Sequence, residues 1–201
     1  LTVTSGEFLV IRGPSGAGKT TALNVMGALD VPTEGTALIG GVDLGSLNRT
    51  ARALLRRDKI GFVFQSYNLI PVLTVLENVT YVMVLQGRSK AERQARAREV
   101  LEAVGLGDKL DRRPLELSGG QQQRVAVARA LASRPDVILA DEPTANLDSK
   151  SGNALLDMMQ ELNDSQGVTF VFSSHDDKVM SRAKRLVTMV DGKVRSDEVK
   201  A

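Results

Sequence analysis

The sequence predicts an α/β domain, a mainly parallel sheet flanked by helices with a helical segment inserted in its middle. Three observations carry this. Short apolar runs alternate with helical stretches, the order expected of a sheet covered by helices. Two of those runs, Val137–Ala140 and Val168–Phe172, are apolar without polar alternation, as strands buried on both faces are. Between about Tyr67 and Leu131 the strand candidates stop and helical patterns take over. The chain of 201 residues suits one domain, with residues 1–65 and 132–201 as its α/β core and 66–131 as the helical part.

The first strand candidate is Phe8–Ile11, and it runs into Gly13-Pro14-Ser15-Gly16-Ala17-Gly18-Lys19-Thr20, the pattern G-x-x-x-x-G-K-T. Glycines let the backbone curl so that successive N–H groups point at one anion. Lys19 then reaches the β- and γ-phosphates of a nucleotide, and the Thr20 hydroxyl is placed to ligate Mg²⁺. A helix beginning near Lys19 and running through Thr21 presents its positive end to the same charge.

Strand candidates follow at Thr36–Ile39 and Ile60–Phe64, the latter closed by Gln65, whose amide oxygen could reach Mg²⁺ or a water. In the helical part, Ser89-x-x-Glu92 is a capping box, and Val100, Leu101 and Val104 continue an apolar face behind it. The basic cluster between Arg88 and Arg98 reads as a solvated helix face. Leu117-Ser118-Gly119-Gly120-Gln121 opens a further helix. A simple N-cap explains the serine, but two glycines cost helix stability, so this start reads as a second anion-binding terminus.

Val137–Ala140 ends in Asp141-Glu142-Pro143. At a strand end beside a phosphate loop, the first carboxylate can hold Mg²⁺ through water and the second can orient or deprotonate an attacking water. Val168–Phe172 leads to Ser173-Ser174-His175-Asp176, which carries the only histidine, and the last strand candidate is Leu186–Val190. Ligands bind at the carboxyl ends of parallel strands, which favours His175 as a γ-phosphate contact.

Composition sets the outer limits. Apolar residues make up 42% and charged residues 25%, enough for a core and ordinary for a globular chain. A net charge of +2 is too mild to argue for nucleic acid. Cysteine is absent, which excludes disulfides and thiolate metal sites. No apolar run approaches the roughly 20 residues needed to span a bilayer. The chain opens at Leu1 without an initiator Met or a signal peptide, and residues are expected to be missing upstream.

These motifs, in this order, resemble the ATP-binding cassette family over essentially the whole chain. The P-loop is at 13–20, the Q-loop at Gln65 and the signature at Leu117–Gln121. The Walker B strand is Val137–Asp141 followed by Glu142, the D-loop is Ala145–Asp148 and the switch histidine is His175. The resemblance implies the family's fold, a P-loop NTPase core with an inserted helical subdomain and a small N-terminal β part. It implies ATP and Mg²⁺ as ligands, and two copies packed head to tail. Each ATP would touch Gly13, Pro14, Ser15, Gly16, Ala17, Gly18, Lys19, Thr20 and Thr21 of one copy, and Ser118, Gly119, Gly120 and Gln121 of the other. Thr20, Gln65 and Asp141 would hold the metal, Glu142 would be the general base, and His175, Lys19 and Gln65 would complete the catalytic set.

Gln65–Val79 resembles the branch of lipoprotein-release, macrolide-export and division-associated cassettes. This implies an ATPase peripheral to the cytoplasmic face of the inner membrane, working with permease subunits that carry large extracytoplasmic domains and with no nucleic acid. Two alternatives stand beside it, an ATP-gated mechanical clamp of a division-type complex and a soluble non-transport ATPase. The chain has Ser174 where many relatives have Thr before the histidine. Only twelve residues precede Gly13, whereas relatives carry an adenine-stacking aromatic roughly two dozen positions upstream, so no residue is assigned to the base. Phe8 is read as core.

Overall fold

The strand that precedes the phosphate loop, β1 (Phe8–Arg12), is buried on both faces, and the rest of the sheet is assembled around it. The computed structural model describes residues 1–200. Its main sheet has six strands in the order β4 (Ile60–Phe64), β5 (Val137–Asp141), β6 (Phe170–Ser173), β1, β7 (Arg185–Val190) and β8 (Lys193–Val199). All neighbours are parallel except β7 and β8. The register sets Phe64 opposite Asp141, Asp141 opposite Ser173 and Ser173 opposite Ile11. Four strands therefore end in one row, and the residues that follow them share one edge of the sheet.

Alternation along the strands builds two cores. Phe8 and Val10 join Ile138, Ala140, Phe170 and Phe172 on one face, with the Phe8 and Phe172 ring centroids 4.6 Å apart. This face is covered by α3 (Val75–Leu85), α4 (Lys90–Ala103), α5 (Gly119–Ala132) and α6 (Ser149–Gln166), through residues such as Val79, Leu101, Val127 and Leu156. Leu9, Ile11, Leu139, Val171 and Val187 turn to the other face, where α1 (Lys19–Met26) contributes Leu23. Phe8 is fully buried in the first core.

Three helices between β4 and β5 start with the same device. Thr74 with Glu77, Ser89 with Glu92 and Ser118 with Gln121 each form a reciprocal capping box at the start of α3, α4 and α5. Asn78, 1% exposed, fixes the loop that leads into α3. It accepts from the Ile70 N–H at 2.8 Å and donates to the carbonyls of Ile70, Leu73 and Thr74 at 2.9–3.1 Å. Asn78→Ala leaves these groups unpaired and is expected to cost about 1–3 kcal/mol. Thermal melting reads this as about 2–4 °C per kcal/mol in a domain of this size.

The structure corrects several sequence expectations. Thr36–Ile39 does not form a strand of the main sheet. Only Leu38–Ile39 is extended, as β2, and it pairs antiparallel with β3 (Val42–Asp43) in a separate hairpin. Gly40 and Gly41, at φ 56° and 80°, supply a two-residue turn that sends the chain straight back. Val168 and Thr169 precede β6 instead of belonging to it. The Val168 carbonyl accepts from Asn163 and the Thr169 hydroxyl from the Gly6 N–H. β5 reaches Asp141 and β7 begins at Arg185, each one residue beyond its apolar run. Among the elements with no counterpart in the sequence reading are β3, α2 (Arg49–Lys59), α6, α7 (Asp177–Arg182) and the edge strand β8. β8 is almost wholly exposed, so its polar sequence carries no burial pattern to read.

Candidate functional site

The phosphate loop connects β1 to α1 at the shared sheet edge. Gly16 and Gly18 sit in the left-handed region at φ 79° and 91°, conformations that side chains disfavour. Gly13 is required by space, because a Cβ there would lie 2.2 Å from the Met189 carbonyl oxygen of β7. Gly18 is the N-cap of α1 and offers no side-chain acceptor, so the first amides of the helix are left for an external anion. Pro14, Ser15, Gly16, Thr20 and Thr21 are exposed, while Ala17 is buried under the loop. The Lys19 ammonium lies inside the loop, donating to the carbonyls of Gly13 at 2.7 Å and Pro14 at 3.1 Å.

Asp141 closes β5 between Phe64 and Ser173. Glu142 follows with a positive φ of 44°, a conformation rare for a residue with a side chain and held here by its N–H bond to the Ser173 carbonyl at 2.9 Å. Both carboxylate oxygens are engaged. His175 Nδ1 is 2.6 Å from one, and the Ser174 hydroxyl donates to the other at 2.9 Å. The Glu142 side chain is 18% exposed and that of His175 76%. The pair thus joins a recessed carboxylate to an imidazole open to the surroundings.

Gln65 leaves β4 beside Asp141 and is turned toward the D-loop. Its amide nitrogen donates to Asn146 Oδ1 at 3.4 Å, and Asn146 Nδ2 donates to the Gln65 carbonyl at 3.1 Å. The carboxamide oxygen of Gln65 is the remaining acceptor.

The residues expected to bind nucleotide fall into two groups. The P-loop, Gln65, Asp141, Glu142 and His175 share the sheet edge, whereas Ser118–Gln121 begin α5. Among the described residues no hydrogen bond links Ser118–Gln121 to the P-loop. The Ser118 hydroxyl accepts from the Gln121 N–H at 3.3 Å, and Gln121 Oε1 accepts from the Ser118 N–H at 3.0 Å. The Gln121 side chain is therefore occupied with capping, and the Gly119 and Gly120 amides are the groups without a side-chain partner. The Asp148 carboxylate caps α6, whose Ser151 lies against Gly120, and the Ser151 hydroxyl and backbone amides hold the Asp148 pKa below the usual carboxylate range. A folded pKa below the unfolded value near 3.9 means full stabilisation above that value, lost as pH falls through the lower one. Protection factors in the first turn of α6, taken against the intrinsic amide exchange rate at each pH, are accordingly expected to stay constant from neutral pH down to the carboxylate range and to fall only below it.

Three residues that the sequence reading missed tie the site together. Gln123 is fully buried in α5 and donates to the carbonyls of Phe64 at 3.2 Å and Pro143 at 2.9 Å, bracing the ends of β4 and β5. Arg129, also on α5, donates to the Tyr67 carbonyl at 2.9 Å and to the Asn68 carbonyl. Burial pushes the Arg129 guanidinium below its ordinary pKa. Tyr67 places its hydroxyl 3.4 Å from the Asn146 carbonyl. The available signal was Arg129 alone, which interrupts the otherwise small and apolar run Val125–Leu131, whereas Gln123 lies in the polar stretch Gln121–Arg124 and left none.

The ABC transporter family profile matches residues 1–145. The chain is 48% identical over 200 residues to the macrolide export ATP-binding/permease protein MacB of Campylobacter jejuni, which covers 100% of this chain and 31% of MacB. It is 49% identical over 195 residues to the lipoprotein-releasing system ATP-binding protein LolD 1 of Rhodopseudomonas palustris, covering 96% of this chain and 86% of LolD 1. The ATP-binding cassette MJ0796 of Methanocaldococcus jannaschii, solved as a dimer in a post-hydrolysis state bound to ADP and Pi, superposes with a TM-score of 0.87. That match is 45% identical and covers 99% of this chain and 88% of the MJ0796 chain.

Proposed function

The chain belongs to the ABC transporter family, and from that premise we propose that two copies close head to tail around ATP to drive a membrane transporter of the lipoprotein-release or macrolide-export type. It is an ATP-binding and ATP-hydrolysing cassette of the MacB and LolD type. The observation that carries the catalytic assignment is the Glu142 carboxylate, held on both oxygens at the sheet edge that also carries the phosphate loop.

The nucleotide triphosphate would lie on the P-loop amides, with Lys19 leaving the Gly13 and Pro14 carbonyls for the β- and γ-phosphates. Among the described residues no group of three or more His, Cys, Asp and Glu is placed to hold a metal. That suits Mg²⁺, which binds through few protein oxygens together with phosphates and water. Thr20, Gln65 and Asp141 offer such oxygens, and the ion would neutralise charge that develops on the phosphates. Glu142 takes the proton from the attacking water, and His175 faces the γ-phosphate and keeps the Glu142 carboxylate in place. Ser118, Gly119 and Gly120 would cover the γ-phosphate of the second copy through the free amides at the start of α5. Their separation from the P-loop within one chain is what a shared site requires.

Residues 1–65 and 132–201 form the catalytic core in this reading, with 66–131 as the helical subdomain. Among the described residues no helix is long and apolar enough to cross a membrane. Permease subunits with large extracytoplasmic domains would supply the spanning part, and the cassette would lie peripherally on the cytoplasmic face of the inner membrane.

Affinity purification from detergent-solubilised native membranes, with the bound chains identified by mass, tests the assignment. A partner with few spans and a large extracytoplasmic domain is the expected result. A many-span permease would overturn the branch, and the absence of any membrane partner would overturn the transport role.

A further inference from the structure

The signature helix begins against the Q-loop of its own chain. A Cβ on Gly119 would lie 2.8 Å from the Tyr67 hydroxyl oxygen and 3.7 Å from the ring carbon that bears it. The oxygen alone makes this contact prohibitive. A tyrosine ring moves on only two torsions, and here its backbone is fixed as well. Tyr67 and Asn68 both have positive φ, 59° and 50°, and the Arg129 guanidinium donates to both of their carbonyls. On its other side the hydroxyl is 3.4 Å from the Asn146 carbonyl, and Asn146 is paired with Gln65. A single ring therefore touches the start of α5 and the D-loop, and it lies two residues past Gln65.

We propose that Tyr67 is a positioning residue that sets the start of the signature helix against the Q-loop and D-loop, with Arg129 as its anchor. Gly119 is then required by the Tyr67 hydroxyl of its own chain, in addition to any approach of phosphate to the helix amides. The three segments move as one body: a shift at the Gln65 loop passes through Tyr67 to the residues that cover the second nucleotide. This rests on the reading of Ser118–Gly120 as part of a shared nucleotide site, and the test has one readout that does not.

The test compares wild type, Gly119→Ala, Tyr67→Phe and the double variant. Melting of the nucleotide-free protein addresses the contact itself. Alanine is the better helix former, so without the contact Gly119→Ala would raise the melting temperature. The expected result is a fall of roughly 2–8 °C from overpacking, recovered in the double variant, which lacks the crowding oxygen. A Gly119→Ala melting temperature at or above wild type overturns the proposal whatever the chain's activity.

Steady-state ATP hydrolysis at a temperature where all four proteins are folded addresses positioning. Gly119→Ala is expected to lower kcat by about tenfold to a hundredfold, with KM for ATP little changed because the P-loop is untouched. The double variant should return to within about threefold of Tyr67→Phe alone. A double variant as slow as Gly119→Ala would mean that the glycine serves phosphate approach only, and would overturn the proposal. Arg129→Lys keeps the charge but loses the two-pronged contact, and should reproduce the kcat loss without a change in KM. A rise in KM with kcat unchanged would remove Arg129 as the anchor.

Discussion

Glu142→Gln is expected to abolish ATP hydrolysis almost completely while leaving the fold and ATP binding intact. The substitution keeps the side-chain shape and its two hydrogen-bonding positions. The amide oxygen can accept from Ser174, and the amide N–H₂ can donate to His175 Nδ1, so the contacts now at 2.9 and 2.6 Å have replacements. The proton-accepting power of the carboxylate is what disappears. A positioned general base is worth about 10²–10⁴ in rate, and the loss in kcat should fall in or above that range. A cassette that binds ATP but cannot hydrolyse it should accumulate as the closed pair. Size-exclusion chromatography with light scattering should then show an ATP-dependent dimer in the variant that wild type holds only transiently. Fast turnover by Glu142→Gln would remove Glu142 from the role of base, and His175 would become the next residue to examine.

Lys19→Ala is expected to act one step earlier, on binding. In the structure the Lys19 ammonium is enclosed by the loop, with the Gly13 and Pro14 carbonyls as its partners. Against a triphosphate it would be the one mobile cation in a cradle otherwise made of amide dipoles. Truncating one member of a close, desolvated charge pair costs about 2–5 kcal/mol. At 1.4 kcal/mol per factor of ten, that weakens the ATP Kd by roughly thirty-fold or more. Equilibrium titration with a fluorescent ATP analogue, checked by competition with ATP, measures it. An unchanged Kd would count against the cradle, because the glycine geometry alone would then suffice. The two variants are separable: one binds without turnover, the other neither binds nor turns over.

The motif residues were legible in the sequence because each depends on local chemistry. Gly16 and Gly18 require left-handed backbone, Lys19 and Thr20 follow at fixed spacing, and two acids close a strand that is apolar throughout. The buried strands were legible for a related reason. Val137–Ala140 and Phe170–Phe172 are enclosed on both faces, and full burial leaves an unbroken apolar run. The exposed edge strand β8 leaves no such trace, and the short hairpin β2–β3 shows only as the candidate Thr36–Ile39, of which Leu38–Ile39 alone is extended. One is polar on both faces, and the other is set by a two-glycine turn and not by burial.

Pairings between residues distant in the chain were beyond the sequence. That His175 and Ser174 would grip both oxygens of Glu142, more than thirty positions earlier, follows from β5 and β6 lying side by side in register. That Tyr67 would crowd Gly119, with Arg129 holding its backbone, follows from packing α5 across the end of β4. By itself the sequence determined which residues are candidates for the chemistry and which segments can be strands, since spacing, backbone preference and burial are properties of short stretches. The tertiary structure decided which of those residues meet. Strand order and helix packing are collective choices of the whole core, made by burying apolar surface that no single segment can bury alone.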